Sequence, residues 1–169
     1  MLLNANGLVT KDSVAGVRAT LFGYDPTGRL TSQVQGNRAT GMTYDASGRL
    51  STVTDATGLV WRMQYDAGDR PTTLINPRGD TTRMAYDSGG RVTQVTPPGR
   101  SAHTFTYTPT GQMATYTPPS VGDGAPPLRM FYDPDDRLTR VLRPAGDSLV
   151  FTYDSTGRTT SVRTPEGLA

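Results

Sequence analysis

There is no cysteine among the 169 residues of this chain, so neither a disulfide framework nor thiol chemistry is available to it. Histidine occurs once, at His103, and with no cysteine and no second histidine it cannot nucleate a zinc site of the usual kind. No apolar run approaches the roughly 20 residues that cross a bilayer as a helix. Met1-Leu2-Leu3-Asn4 lacks the charged and hydrophobic regions of a secretory signal, so no signal peptide is read in this chain. Charge excess is small: 17 Lys and Arg against 15 Asp and Glu leave a net +2. The arginines recur singly beside aspartates rather than in a patch, which gives no case for nucleic acid. No Ser-His-Asp set, phosphate-binding glycine loop or clustered pair of acids is present, so the common routes to catalysis are closed and the chain is not read as an enzyme. No cofactor or metal site is expected. Hydrophobic residues make up 34% of the chain, low for a globular core. Low hydrophobicity produces disorder when joined to high net charge, and that second condition is not met.

What the chain does have is glycine, proline, threonine and tyrosine, and a pattern that returns. The copies are Tyr24-Asp25-x-x-Gly28-Arg29, Tyr44-Asp45-x-x-Gly48-Arg49, Tyr65-Asp66 with Arg70, Tyr86-Asp87-x-x-Gly90-Arg91, Tyr107 with Gly111, Tyr132-Asp133 with Arg137, and Tyr153-Asp154-x-x-Gly157-Arg158. The tyrosines are spaced by 20 or 21 residues except for one interval of 25. A fixed period in this range marks a repeat architecture, in which one supersecondary unit cannot bury its apolar face alone and stacks on its neighbours. The whole of 1–169 reads as one continuous array. It comprises a worn copy over 3–23, repeats starting at 24, 44, 65, 86, 107, 132 and 153, and an insertion over 117–127 that accounts for the long interval.

Two residues before each tyrosine stands Phe22, Met42, Met63, Met84, Phe105, Met130 or Phe151. A spacing of two keeps side chains on one face of a strand, so each tyrosine ends a strand with one buried face. Asp-x-x-Gly then reads as a tight turn: the aspartate bonds the backbone two residues on, and the glycine tolerates positive φ. Asp69 and Asp136 replace that glycine in two copies, and aspartate is one of the few other residues that visit this conformation. The departing strand carries an apolar residue nine after the tyrosine, as in Val53, Leu74, Val95, Val141 and Val162, with Tyr116 at that place in one copy and Val34 one position later in the first. A second turn follows, such as Asp55-Ala-Thr-Gly58 or Asn76-Pro-Arg-Gly79. The expected fold is all-β: tandem antiparallel hairpins of about 21 residues forming a long curved or spiralling sheet. The register after Leu50 stays open, since Leu50 and Val53 are three apart and share a face only if a bulge intervenes.

The recurring Tyr-Asp-x-x-Gly-Arg-Leu resembles the YD repeats of the Rhs family, which includes Rhs polymorphic toxins, the B and C components of Tc toxins and the YD shell of teneurins. The resemblance covers practically the whole chain. It implies a hairpin spiral that walls a hollow shell, a structural role, and a partner in the form of a toxin or cargo polypeptide of the parent chain. It further implies a secreted or cell-surface location as part of a larger bacterial protein. Nothing after Tyr153 matches the family's self-cleaving closing segment, so the chain resembles shell wall without plug, protease or cargo. It begins and stops inside the array, as a piece of something longer would.

Three alternatives accompany that reading. A carbohydrate or cell-surface ligand would use a tyrosine ladder or the loop from Pro118 to Pro127. The simpler expectation is that the tyrosines stack cross-strand with the Phe and Met partners. Open strand edges would support self-association. The row of aspartates could suggest calcium, but calcium loops concentrate several carboxylates in one short segment, and here each aspartate caps its own turn.

Overall fold

The computed structural model describes residues 1–119 and 126–164, and the backbone of 167–168. Most of the Pro118 to Pro127 insertion, and the middle of the Thr164-to-Gly167 turn, lie outside the described residues. Seventeen strands and no helix make up the rest. The chain divides into two units, Met1–Thr82 and Arg83–Ala169.

In the first unit the strands are β1 (Leu2–Leu3), β2 (Val9–Asp12), β3 (Thr20–Tyr24), β4 (Leu30–Gln35), β5 (Arg38–Tyr44), β6 (Leu50–Thr54), β7 (Val60–Tyr65) and β8 (Pro71–Ile75). Each pairs antiparallel with the next. The strand β9 (Thr81–Tyr86) carries the chain into the second unit. There it pairs through Arg83 to Tyr86 with β10 (Val92–Thr96). The meander continues through β11 (His103–Tyr107), β12 (Met113–Thr117), β13 (Leu128–Tyr132), β14 (Leu138–Leu142), β15 (Ser148–Tyr153), β16 (Thr159–Thr164) and β17 (Gly167–Leu168).

Every hairpin closed by the Tyr-Asp turn contains the same irregularity. In β5–β6, Tyr44 pairs with Leu50 but Thr43 pairs with Thr52, so Ser51 is an extra residue on the departing strand. The shift recurs beside Tyr24, Tyr65, Tyr107, Tyr132 and Tyr153, and between Val92 and Gln94 opposite β9. A bulge of one residue reverses the alternation beyond it. Leu50 and Val53 therefore face the same way although three apart, which settles the register that the sequence left open. The extra residues are Thr31, Ser51, Thr72, Thr93, Ala114, Thr139 and Thr160. Three of these hydroxyls return to the partner strand: Thr72 Oγ1 donates to the Gln64 carbonyl at 3.3 Å, Thr139 Oγ1 to that of Phe131 at 3.1 Å, and Thr160 Oγ1 shares a hydrogen bond of 2.8 Å with Thr152 Oγ1.

Directly opposed residues share a face, so Met42, Val53 and Trp61 form one row and Met63 and Leu74 another. The first copy departs from expectation. Gln33 lies opposite Phe22, while Val34 lies opposite Leu21 on the other face. The bulge at Thr31 holds the register, so an apolar residue one position late cannot join the apolar row. The shorter first period comes from the tight β4–β5 connection, where Gln35 pairs with Arg38 around Gly36 and Asn37.

The expectation of one buried face is corrected to one that is partly buried. Among the described residues none is buried, and Trp61 and Leu74 stay 39% and 41% exposed. The physical reason is that within each unit a strand pairs only with its chain neighbours, so no second layer covers the apolar rows.

The second turns rely on glycine as well. Gly58 sits at φ +85° with nothing within 4 Å of where a Cβ would stand. Gly58→Ala therefore isolates the cost of a left-handed backbone, about 1 kcal/mol. A lower urea midpoint at unchanged slope is the expected result, and an unchanged midpoint would show that the turn relaxes without strain.

Candidate functional site

The repeated motif closes each turn on itself. In the Tyr44 copy, the Asp45 N–H donates to the Arg49 carbonyl at 2.8 Å and the Gly48 N–H donates to the Asp45 carbonyl at 2.9 Å. Asp45 Oδ1 accepts from the backbone N–H groups of Ser47 and Arg49, both at 2.9 Å, and Oδ2 accepts from Arg49 Nε at 2.8 Å. One carboxylate thus satisfies two backbone donors that the turn leaves over and anchors the arginine that follows. Asp25–Arg29, Asp66–Arg70, Asp87–Arg91, Asp133–Arg137 and Asp154–Arg158 repeat the ion pair.

These bonds favour the charged carboxylate, so the aspartates titrate below their ordinary range. For Asp25, Asp45, Asp87 and Asp133 the backbone N–H of the following arginine contributes most. For Asp66 the leading cause is the Arg70 side chain, and for Asp154 the Thr156 hydroxyl.

The same residues then reach into the neighbouring hairpin. Tyr44 Oη donates to the Leu30 carbonyl at 2.7 Å and Tyr65 Oη to the Leu50 carbonyl at 2.8 Å. Tyr24, Tyr107, Tyr132 and Tyr153 bond the corresponding carbonyls of Val9, Val92, Met113 and Leu138. The acceptor is always the residue before a bulge, which for Val9 is the one at Thr10 in the β1–β2 pair. Over four of these rings lies the guanidinium of the preceding repeat: Arg29 over Tyr44 at 4.6 Å, Arg49 over Tyr65 and Arg91 over Tyr107 at 4.9 Å, and Arg137 over Tyr153 at 5.4 Å. Arg49 Nη1 continues to the Asp66 carbonyl at 2.8 Å, and Arg91 Nη1 to that of Thr108 at 3.3 Å. Arg49 and Arg91 therefore have one end in their own turn and the other in the next.

Packing of the arginine adds a reason for the glycine. Gly28, Gly48, Gly90, Gly111 and Gly157 all have φ between +82° and +101°. At Gly48 a Cβ would also stand 2.9 Å from Arg29 Nη1. Asp69 and Asp136 adopt φ of 60° and 61° at this place, and each uses its carboxylate across the repeats. Asp69 Oδ1 accepts from Arg49 Nη1 at 3.0 Å and Asp136 Oδ1 from Thr110 Oγ1 at 2.9 Å.

The Tyr107 copy is the neutral variant, with Thr108 and Gln112 in the aspartate and arginine places; Thr108 Oγ1 accepts from the Gln112 N–H at 3.1 Å. Tyr86 keeps its ring beside Met84, with Oη 3.8 Å from the sulfur. Tyr65 and Tyr86 stand beside their Met partners, and an arginine is stacked over the four rings above. Among the described residues no group of three or more His, Asp or Glu is placed to hold a metal ion. No helix of the described residues is long and apolar enough to cross a membrane.

The Teneurin YD-shell family profile matches residues 1–169. Comparison with curated protein sequences gives no significant match. Among solved structures, the Photorhabdus luminescens Tc holotoxin pore superposes with a TM-score of 0.70 at 16% identity, over 90% of this chain and 9% of that one. A TcdB2-TccC3 crystal structure without the hypervariable C-terminal region superposes at 0.50 and 17% identity, over 95% of this chain and 12% of that one. At such identities the likeness is one of fold. The chain spans about a tenth of the length of the structures it matches.

Proposed function

This chain belongs to the Teneurin YD-shell family, and on that premise we propose that it is a stretch of shell wall that helps enclose a cargo or toxin polypeptide of a longer parent chain. The observation that carries the proposal is where the motif's bonding capacity goes. Each aspartate is spent on its own turn, while the tyrosine hydroxyls tie it to the preceding hairpin and the arginines to the next. These groups build a surface rather than a reaction site, so the role is structural and not enzymatic. A secreted or cell-surface setting follows from the same reading. The half-exposed apolar rows are suited to stand against a polypeptide held inside such a wall.

Limited proteolysis of the parent protein tests this directly. Trypsin is expected to cut the cargo segment far more slowly in the intact parent than as a separately purified domain. Equal digestion rates would overturn enclosure.

A further inference from the structure

In the second unit the departures from the repeat gather at one place. The β10–β11 turn is Thr96-Pro-Pro-Gly99, held by a single long bond from the Arg100 N–H to the Pro97 carbonyl at 3.4 Å. The turns at Asp55, Asn76 and Arg143 instead close with paired bonds of 2.8 to 3.0 Å. On the adjoining strands, His103 stands where Trp61 and Leu149 stand in other repeats. Tyr116 stands where they have Val53, Leu74 or Val141. His103 Nδ1 and Tyr116 Oη are 2.8 Å apart, and Tyr116 is stacked on Phe105 with centroids 5.4 Å apart. These replacements border a cleft of about 850 Å³ lined by Pro97, Arg100, Ser101, His103, Tyr116 and Pro118. Three other clefts among the described residues hold 370 to 390 Å³. The volume of the cleft beside His103 is well within the range of small-molecule sites, about 300 to 1,000 Å³.

The polar lining of the cleft has one sign. Among the described residues, no hydrogen bond or ion pair engages the Arg100 guanidinium, the Ser101 hydroxyl or His103 Nε2, and no carboxylate lines the cleft. When the Tyr116 hydroxyl donates to Nδ1, the single ring proton of a neutral histidine resides on Nε2, which becomes a donor. Three donors then line one cleft that, among the described residues, no carboxylate borders. The prolines and the Tyr116 ring give the walls a rigid apolar character.

We propose that this cleft is a binding site for an organic carboxylate of one or two rings, with Arg100 gripping the carboxylate, Ser101 and His103 Nε2 donating to it, and the prolines with Tyr116 packing its body. A guanidinium suits this role because its planar fork matches two carboxylate oxygens. The carboxylate could belong to an acidic sugar or to a peptide-like acid, and the two sources are separable. The proposal goes beyond the shell-wall reading and does not depend on it.

His103 is the one histidine in the sequence, so its imidazole gives a single assignable NMR signal. The whole chain, at neutral pH, is titrated with glucuronate and, separately, with hippurate, into a range on the order of tens of millimolar, where weak sites saturate. A saturable shift of the His103 Cε1–H signal is expected with at least one of them. Glucuronate alone would mark an acidic-sugar site, hippurate alone a peptide-like acid, and both a general carboxylate site. Neutral methyl glucoside and hippuramide are expected to leave the signal in place. Arg100→Ala should weaken binding by about tenfold or more, the usual loss for a charge-assisted bond. Arg78→Ala, in a turn of the first unit, should bind as the unaltered chain does. No shift with either acid, or an equal affinity in the Arg100→Ala chain, would overturn the site.

Discussion

Replacing Tyr65 by alanine is expected to destabilise the chain by about 3 kcal/mol, toward the low end for aromatic truncation because the ring is only part-buried. Three contacts disappear together. The hydroxyl no longer donates to the Leu50 carbonyl at 2.8 Å, the Arg49 guanidinium loses the ring 4.9 Å below it, and Met63 loses its neighbour, with Sδ 3.9 Å from the hydroxyl. Tyr65→Phe separates them, since it keeps the ring and removes one bond; the expected loss is about 1 kcal/mol. Urea denaturation of the three chains reads both numbers from the midpoints. A phenylalanine chain as stable as the original would mean that the Leu50 carbonyl is equally well served by water. A double-mutant cycle with Arg49→Gln then measures the coupling across the repeat boundary, and zero coupling would remove the arginine from the interlock.

Acidification is expected to unfold the chain progressively, beginning below about pH 5. Seven aspartates, Asp25, Asp45, Asp55, Asp66, Asp87, Asp133 and Asp154, titrate below the ordinary carboxylate value when folded. In the unfolded chain each takes up a proton near pH 4. Between those limits the unfolded state binds more protons than the folded one, so stability rises with pH. Each contribution is complete above the unfolded value and is lost as pH falls through the lower folded one. The melting temperature followed from pH 7 to pH 2 should fall monotonically over the acid range. Asp45→Asn, which removes one such group, should make that fall shallower. A melting temperature that rose on acidification would show that the turns do not depend on ionised aspartate.

The strand and turn alternation was legible because it rests on local rules. A spacing of two between Met42 and Tyr44 fixes a face, and Asp45 to Gly48 fixes a reversal. The bulge was harder to see, because a one-residue excess is a property of two paired strands. Its local trace is the hydroxyl residue seven after the tyrosine, at Thr31, Ser51, Thr72, Thr93, Thr139 and Thr160. The reach of each arginine into the next hairpin was not legible at all. Periodicity shows that Arg49 recurs but not that it lies over Tyr65, 16 positions later in sequence and one hairpin away in space. Val34 misled for the opposite reason: hydrophobicity marks a residue for some face, and only the register shows that its face differs from that of Phe22. The cleft at His103 and Tyr116 had a sequence signal in hindsight, since both interrupt columns held mostly by other residue types.

No described side chain is wholly withdrawn from water, and this bears on how the chain responds to temperature. Unfolding a typical domain exposes enough apolar surface to raise the heat capacity by roughly 12 to 15 cal/mol/K per residue. A chain whose apolar rows are already half wet exposes less, so its heat-capacity increment is smaller and its stability curve flatter. Cohesion here comes from hydrogen bonds and stacked guanidinium groups, which do not weaken on cooling as apolar burial does. Such a wall would hold about as well in the cold as at the warm end of its range.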